Sequence, residues 1–123
     1  MPVNRISEKA LRKLVKDPIE EEALCVIKFY SNNCEYCAVL HDYYVEISES
    51  YDDKEIHFFA FNVDDVSNLE SIIKINGVPT IASVKTGRIK SRIRILEDPD
   101  PPNTKTWYYS KDIKTFIDKE RER

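Results

Sequence analysis

Residues 23–40 read ALCVIKFYSNNCEYCAVL, and the two halves of this stretch follow different spacing rules. Residues 23–30 are almost continuously apolar and rich in β-branched and aromatic side chains, the pattern of a strand covered on both faces. From Cys34 to Tyr51 the period lengthens: Val39, Leu40, Tyr43, Tyr44 and Ile47 fall on adjoining turns of a long helix. Between them stands SNNCEYC, residues 31–37, so a C-x-x-C pair occupies a strand-to-helix junction. One helical turn brings such a pair of sulfurs to the same end of the helix, close enough to bond without unwinding the backbone. The unpaired N–H groups there carry positive partial charge, which favours a thiolate on the first cysteine. Cys34 is therefore expected to be the exposed nucleophile and Cys37 the shielded, resolving thiol. Lowering a thiol pKa from about 8.5 to about 7 raises the thiolate fraction at pH 7 roughly fifteenfold. The accompanying loss of basicity takes back roughly fivefold. The net gain in attack is a few-fold, and Cys34 also leaves more easily when Cys37 attacks a mixed disulfide.

Working outward, Ser7 caps a helix over 8–16 with Leu11, Leu14 and Val15 on one face, and Asp17-Pro18 stops it. A short strand fits before Ser7. Ile56 to Val63 reads as a second central strand, and Ser67 as the cap of a short helix carrying Leu69, Ile72 and Ile73 that ends at Asn76-Gly77. Thr80 to Val84 and Arg88 to Leu96 form a hairpin through Lys85-Thr86-Gly87. Its second arm alternates Arg88, Lys90, Arg92 and Arg94 with Ile89, Ser91, Ile93 and Ile95, as expected of a half-exposed edge strand whose charges discourage sheet-to-sheet pairing. Residues 97–109 contain Pro99, Pro101 and Pro102 and form a loop, which Trp107, Tyr108 and Tyr109 pack onto the sheet. Ser110 caps a last helix carrying Ile113, Phe116 and Ile117. The order predicts an α/β domain with a mixed sheet of four or five strands and helices on both faces.

At 123 residues the chain fits one domain, 1–123, large enough to bury roughly two-thirds of its unfolded surface. No apolar run approaches the ~18–20 residues of a membrane span, and MPVNRISEKALRKLVKDP has charges throughout and does not read as a secretory signal. Nineteen basic against 22 acidic side chains argue against wholesale nucleic-acid binding. Three cysteines are too few for a disulfide scaffold. The expectation is a soluble, cytoplasmic monomer with no nucleic-acid or membrane partner.

Residues 23–40, together with GVPTIASVKTGRIK at 77–90, resemble the thioredoxin family over almost the whole chain: a strand, an active-site turn and a helix, then a Gly-Val-Pro-Thr segment leading into a hairpin. The resemblance implies a thioredoxin fold and a thiol–disulfide oxidoreductase exchanging a Cys34–Cys37 dithiol with protein disulfides. It implies a cis bond at Pro79 beside the cysteines, a substrate strand bonded to Val78, and Tyr36 on the substrate side. It also implies no bound cofactor and re-reduction by an NADPH-dependent flavoprotein reductase or by glutathione. Three departures stand out. Asn33 replaces a tryptophan, Glu35-Tyr36 fills the C-x-x-C pair, and Lys28 occupies the place of a buried carboxylate. Lys28 and Glu35 are thus candidates for tuning the thiol pKa values, although the Lys28 amine can also simply reach water or meet a carboxylate. Two alternatives stay open: a redox-inactive binding module using the groove around GVPT, and a glutaredoxin-like, glutathione-dependent enzyme. Cys34, Cys37 and His41 have C-x2-C-x3-H spacing but supply only three ligands, so no metal is expected. Cys25 reads as a core residue and His41 as an exposed helix residue.

Overall fold

The computed structural model describes residues 3–51 and 56–122. Five strands, β1 (Val3–Arg5), β2 (Leu24–Tyr30), β3 (Ile56–Asn62), β4 (Thr80–Lys85) and β5 (Arg92–Ile95), form one mixed sheet in the order β1-β3-β2-β4-β5. The β1–β3 and β3–β2 pairs are parallel, whereas β2–β4 and β4–β5 are antiparallel. Three helices complete the fold: α1 (Glu8–Lys16), α2 (Glu35–Glu49) and α3 (Ser110–Glu122). This is the α/β mixed sheet expected from the sequence.

The near-continuous apolarity of β2 has a direct cause. Leu24 and Val26 face a core shared with Leu40, Tyr44 and Ile47 of α2 and Ile113 and Ile117 of α3. Cys25, Ile27 and Phe29 point the other way, against Leu11 and Val15 of α1. Strand side chains alternate between faces, so a strand roofed on both sides needs apolar residues at every step. α1 begins where the Ser7 hydroxyl accepts the Ala10 N–H at 3.2 Å, and ends as Asp17, before Pro18, turns to extended backbone.

Three expectations need correction. The second hairpin arm is ordered as strand only over Arg92–Ile95, and none of its four residues is buried. Residues 86–91 are tied elsewhere: Thr86 N–H donates to the Ala23 carbonyl, Ile19 N–H to the Gly87 carbonyl, and the Ser91 hydroxyl to the Leu14 carbonyl. Part of the basic row also works internally, since Arg94 lies 3.8 Å from the nearly buried Glu120 carboxylate, which accepts the Ser83 hydroxyl proton at 2.9 Å. Second, Ser67 caps no helix; residues 63–71 contain two 3-10 turns, Val63–Asp65 and Leu69–Ser71. Asn62 Oδ1 captures the Asp64 N–H and the Ser71 hydroxyl bonds the Asn68 carbonyl, local bonds that compete with a regular helix. Third, Tyr109, not Ser110, precedes α3, and its carbonyl accepts from Asp112 and Ile113.

Tyr44 joins helix to sheet at the centre of this core. It is completely buried, and its hydroxyl lies 2.8 Å from the Phe59 carbonyl and 3.0 Å from the Val26 carbonyl. Burial holds its phenol well above the usual tyrosine range, so it stays a donor. Tyr44→Phe is expected to lower unfolding free energy by about 1 kcal/mol, and Tyr44→Ala by about 3–5 kcal/mol, both read from urea denaturation.

Candidate active site

β2 ends at Tyr30, residues 31–34 turn, and α2 begins at Glu35 with Cys34 as its cap. Cys34 keeps extended backbone (φ −94°, ψ 105°), and its Sγ accepts the Cys37 N–H at 3.1 Å, so the sulfur takes the position a capping oxygen usually fills. A sulfur so placed feels the positive end of the helix, which favours its thiolate once the pair is reduced. Cys34 and Cys37 are joined as a disulfide with Cα atoms 5.2 Å apart. Cys34 is partly exposed, while Cys37 is only 3% exposed. One cysteine is open in part to solvent and the other is sheltered.

The turn is held by a polar network that the sequence reading missed. Asn32 N–H donates to Asp64 Oδ2 at 2.8 Å, and Asn62 Nδ2 donates to Asn32 Oδ1 at 2.9 Å. The end of β3 and the residues just after it thereby fix the turn that leads into Cys34. A run of Asn and Asp after an apolar strand was the available signal, since these side chains bond loop backbone.

β4 brings the second half of the site. Phe29 pairs with Thr80, so Val78 and Pro79 lie at the C-terminal end of β2, where the cysteine turn starts. The Val78–Pro79 peptide bond is cis, Pro79 is buried, and Val78 is half-buried. Gly77 has φ +150°, a conformation open to glycine, and its carbonyl accepts the Thr80 hydroxyl proton. Of the residues between the cysteines, Glu35 is exposed, and the Tyr36 ring meets Trp107 edge to face with centroids 5.5 Å apart. The contact with Trp107 was not foreseen.

Lys28 reaches neither water nor a carboxylate. It is 2% exposed, with Nζ 2.8 Å from His41 Nδ1 and 5.5 and 5.4 Å from the ring centres of Tyr30 and Tyr44. An ammonium can only donate, so Nδ1 accepts and the imidazole proton sits on Nε2. Burial pulls the Lys28 amine down to about 8, partly countered by Asp42. Burial and the Lys28 charge lower the His41 pKa as well, against the opposing pull of Asp42. His41 is exposed on its outer side, as expected, but stands one turn along α2 from Cys37 and turns Nδ1 inward. Its position four residues after Cys37 was the legible clue. Cys25 is buried, and burial pushes its thiol up to about 11. Among the described residues no His, Cys, Asp and Glu cluster suits a metal ion, and no helix is long and apolar enough to cross a membrane.

The lowered Lys28 pKa has a definite sign in stability. An unfolded lysine holds its proton to about pH 10.4, above the folded value of about 8. Between those values the unfolded state binds more protons, and stability rises with pH. Lys28→Met is expected to stabilise the chain at pH 7 by about 1–3 kcal/mol, an advantage that shrinks as pH rises from about 8 toward 10. Urea unfolding of both proteins at pH 7 and pH 9.5 measures this.

The comparisons with known proteins agree with this geometry. The Thioredoxin family model matches residues 2–99. Thioredoxin H5 of Arabidopsis thaliana is 28% identical over 79 residues, a stretch covering 64% of this chain and 65% of that protein, so the chain spans a little less than two thirds of that relative's length. Among solved structures, the J-Trx1 fragment of ERdj5 superimposes with a TM-score of 0.72 at 15% identity, covering 99% of this chain and 53% of the other. Chloroplastic thioredoxin z gives 0.69 at 16% identity, covering all of this chain and 97% of the other. Because the family model spans most of the chain, including the cysteine turn and the Val-Pro segment, this chain belongs to the thioredoxin family.

Proposed function

We propose that this protein is a cytoplasmic dithiol–disulfide oxidoreductase acting on protein disulfides as a monomer. The observation that carries the reading is the asymmetric pair, Cys34 partly exposed at the cap of α2 and Cys37 sheltered one turn behind it. In the reductive direction the Cys34 thiolate attacks one sulfur of a substrate disulfide, and the other substrate sulfur leaves as a thiolate. Cys37, once deprotonated, attacks Cys34 Sγ; the second substrate thiol departs, and the Cys34–Cys37 disulfide forms. Two electrons have passed to the substrate, and an NADPH-dependent flavoprotein reductase or glutathione returns them. The domain needs no bound cofactor for this exchange, because both steps are thiol–disulfide substitutions. Val78 and Pro79, at the end of β4 nearest the turn, offer a backbone edge to an extended substrate strand.

Lys28 takes a positioning part. Held by His41 one turn from Cys37, its ammonium supplies positive charge on the side where Cys37 must become a thiolate. Glu35, in the first turn of α2, works weakly against the thiolate at the helix end.

Reduction of insulin disulfides by dithiothreitol tests the main reading. Wild type is expected to accelerate it and Cys34→Ser to bring it to the uncatalysed rate; no acceleration by wild type would assign the fold to binding alone. The reduction potential gives the direction, a value near −270 mV marking a reductant and one near −120 mV an oxidant. Lys28→Met is expected to slow resolution of a mixed disulfide on Cys34 several-fold, and an unchanged rate would remove its role.

A further inference from the structure

Tyr36 and Trp107 stand 71 positions apart, yet their rings meet at 5.5 Å with an interplanar angle of 69°. Tyr36 is 37% exposed, and Trp107 is half-buried and packs on one side against the core, so the pair sits at the border between core and surface. Trp107 adopts φ +68°, the single positive φ among the described non-glycine residues. Bulky L-residues rarely enter that region, and such outliers persist where surrounding structure holds them.

The restraints here are several. Asn103 and Trp107 exchange both backbone bonds, at 2.9 and 3.0 Å, and Asn103 Oδ1 takes the N–H groups of Lys105 and Thr106. The indole Nε1 donates to Asp98 at 3.1 Å, so the polar group of the ring is satisfied and what the half-buried side chain still exposes is mainly hydrocarbon. The next residue, Tyr108, is buried beside Thr80 and the Ile81 backbone. The loop is therefore rooted against the start of β4, directly after Pro79, and delivers an indole to the ring that separates the two cysteines. An edge-to-face contact occupies one ring edge and one ring face, and Tyr36, the neighbour of Cys37 in the chain, keeps 37% of its surface exposed.

We propose that Tyr36 and Trp107 form an aromatic clasp selecting polypeptide disulfides that carry a bulky apolar side chain beside the reacting cysteine. This rests on the oxidoreductase reading above. The rings are stiff and already placed, so little ordering is needed when an aliphatic or aromatic neighbour packs against them.

Two short peptide disulfides identical except for Phe or Ser next to the cysteine provide the test. Wild type is expected to favour the Phe peptide in kcat/KM by about fivefold or more, and Trp107→Ala to bring the ratio close to one. A second measurement works without altering the clasp. In Cys37→Ser, Cys34 attacks the peptide disulfide, releases one peptide as thiol and keeps the other as a mixed disulfide. Trp107 is the only tryptophan of the chain, so its emission is expected to shift in the Phe adduct and not in the Ser adduct. Equal kcat/KM values in wild type, a preference surviving Trp107→Ala, or identical emission from both adducts would overturn the clasp while leaving the oxidoreductase reading in place. If neither peptide forms an adduct on Cys34, the oxidoreductase reading fails first and the clasp with it. Should Trp107→Ala not fold, the adduct emission decides alone.

Discussion

β2 is enclosed on both faces, and this one constraint fixes where the chemistry occurs. Its two-sided burial forces helices onto either side of the sheet and leaves the strand end as the first point where the chain can become polar. There the backbone must change from strand to helix within four residues, and the partly exposed Cys34 stands at that change. The antiparallel register with β4 brings the Val78–Pro79 segment to the same end. Neither half of the site is adjacent to the other in sequence; the sheet makes them neighbours.

Within this enclosure Lys28 is the exception. A charge in a low-dielectric interior is unfavourable unless it is paired, and the partners of this ammonium are a neutral imidazole and two aromatic rings. Such an arrangement lowers the cost without abolishing it, which is why the amine titrates so far below a free lysine. An apolar residue would pack there with less strain on stability. The role proposed for Lys28 beside Cys37 would exchange some stability of the fold for positive charge at the site, a common compromise where chemistry is done.

Most of the architecture was legible because it rests on local periodicity: two-sided apolarity in β2, helical spacing in α1 and α3, and a C-x-x-C at a junction. What escaped was set by contacts between distant segments. β5 is short because Thr86, Gly87 and Ser91 are bonded to the chain around α1 and the start of β2, and no alternation of Arg and Ile reveals that. The 3-10 turns after β3 reflect side chains of Asn62 and Ser71 capturing backbone groups. In the site, the cysteines and the Val-Pro segment could be named from motif alone. The Lys28–His41 contact could not, because it needs the inward parity of β2 and the inward face of α2 to be known together. Trp107 was read as packing its loop onto the sheet, and it does pack against the core; what a proline-rich loop does not announce is that the same ring also meets Tyr36.

The depth of Cys25 carries a consequence for how the protein behaves in air. Its thiol is enclosed between the sheet and α1 and held in the unreactive protonated form. An odd sulfhydryl on the surface would invite covalent dimers and scrambled partners each time the molecule cycled. Sealed away, it leaves Cys34 and Cys37 as the two thiols free to pair with each other, which suits the proposed cycling between two well-defined states.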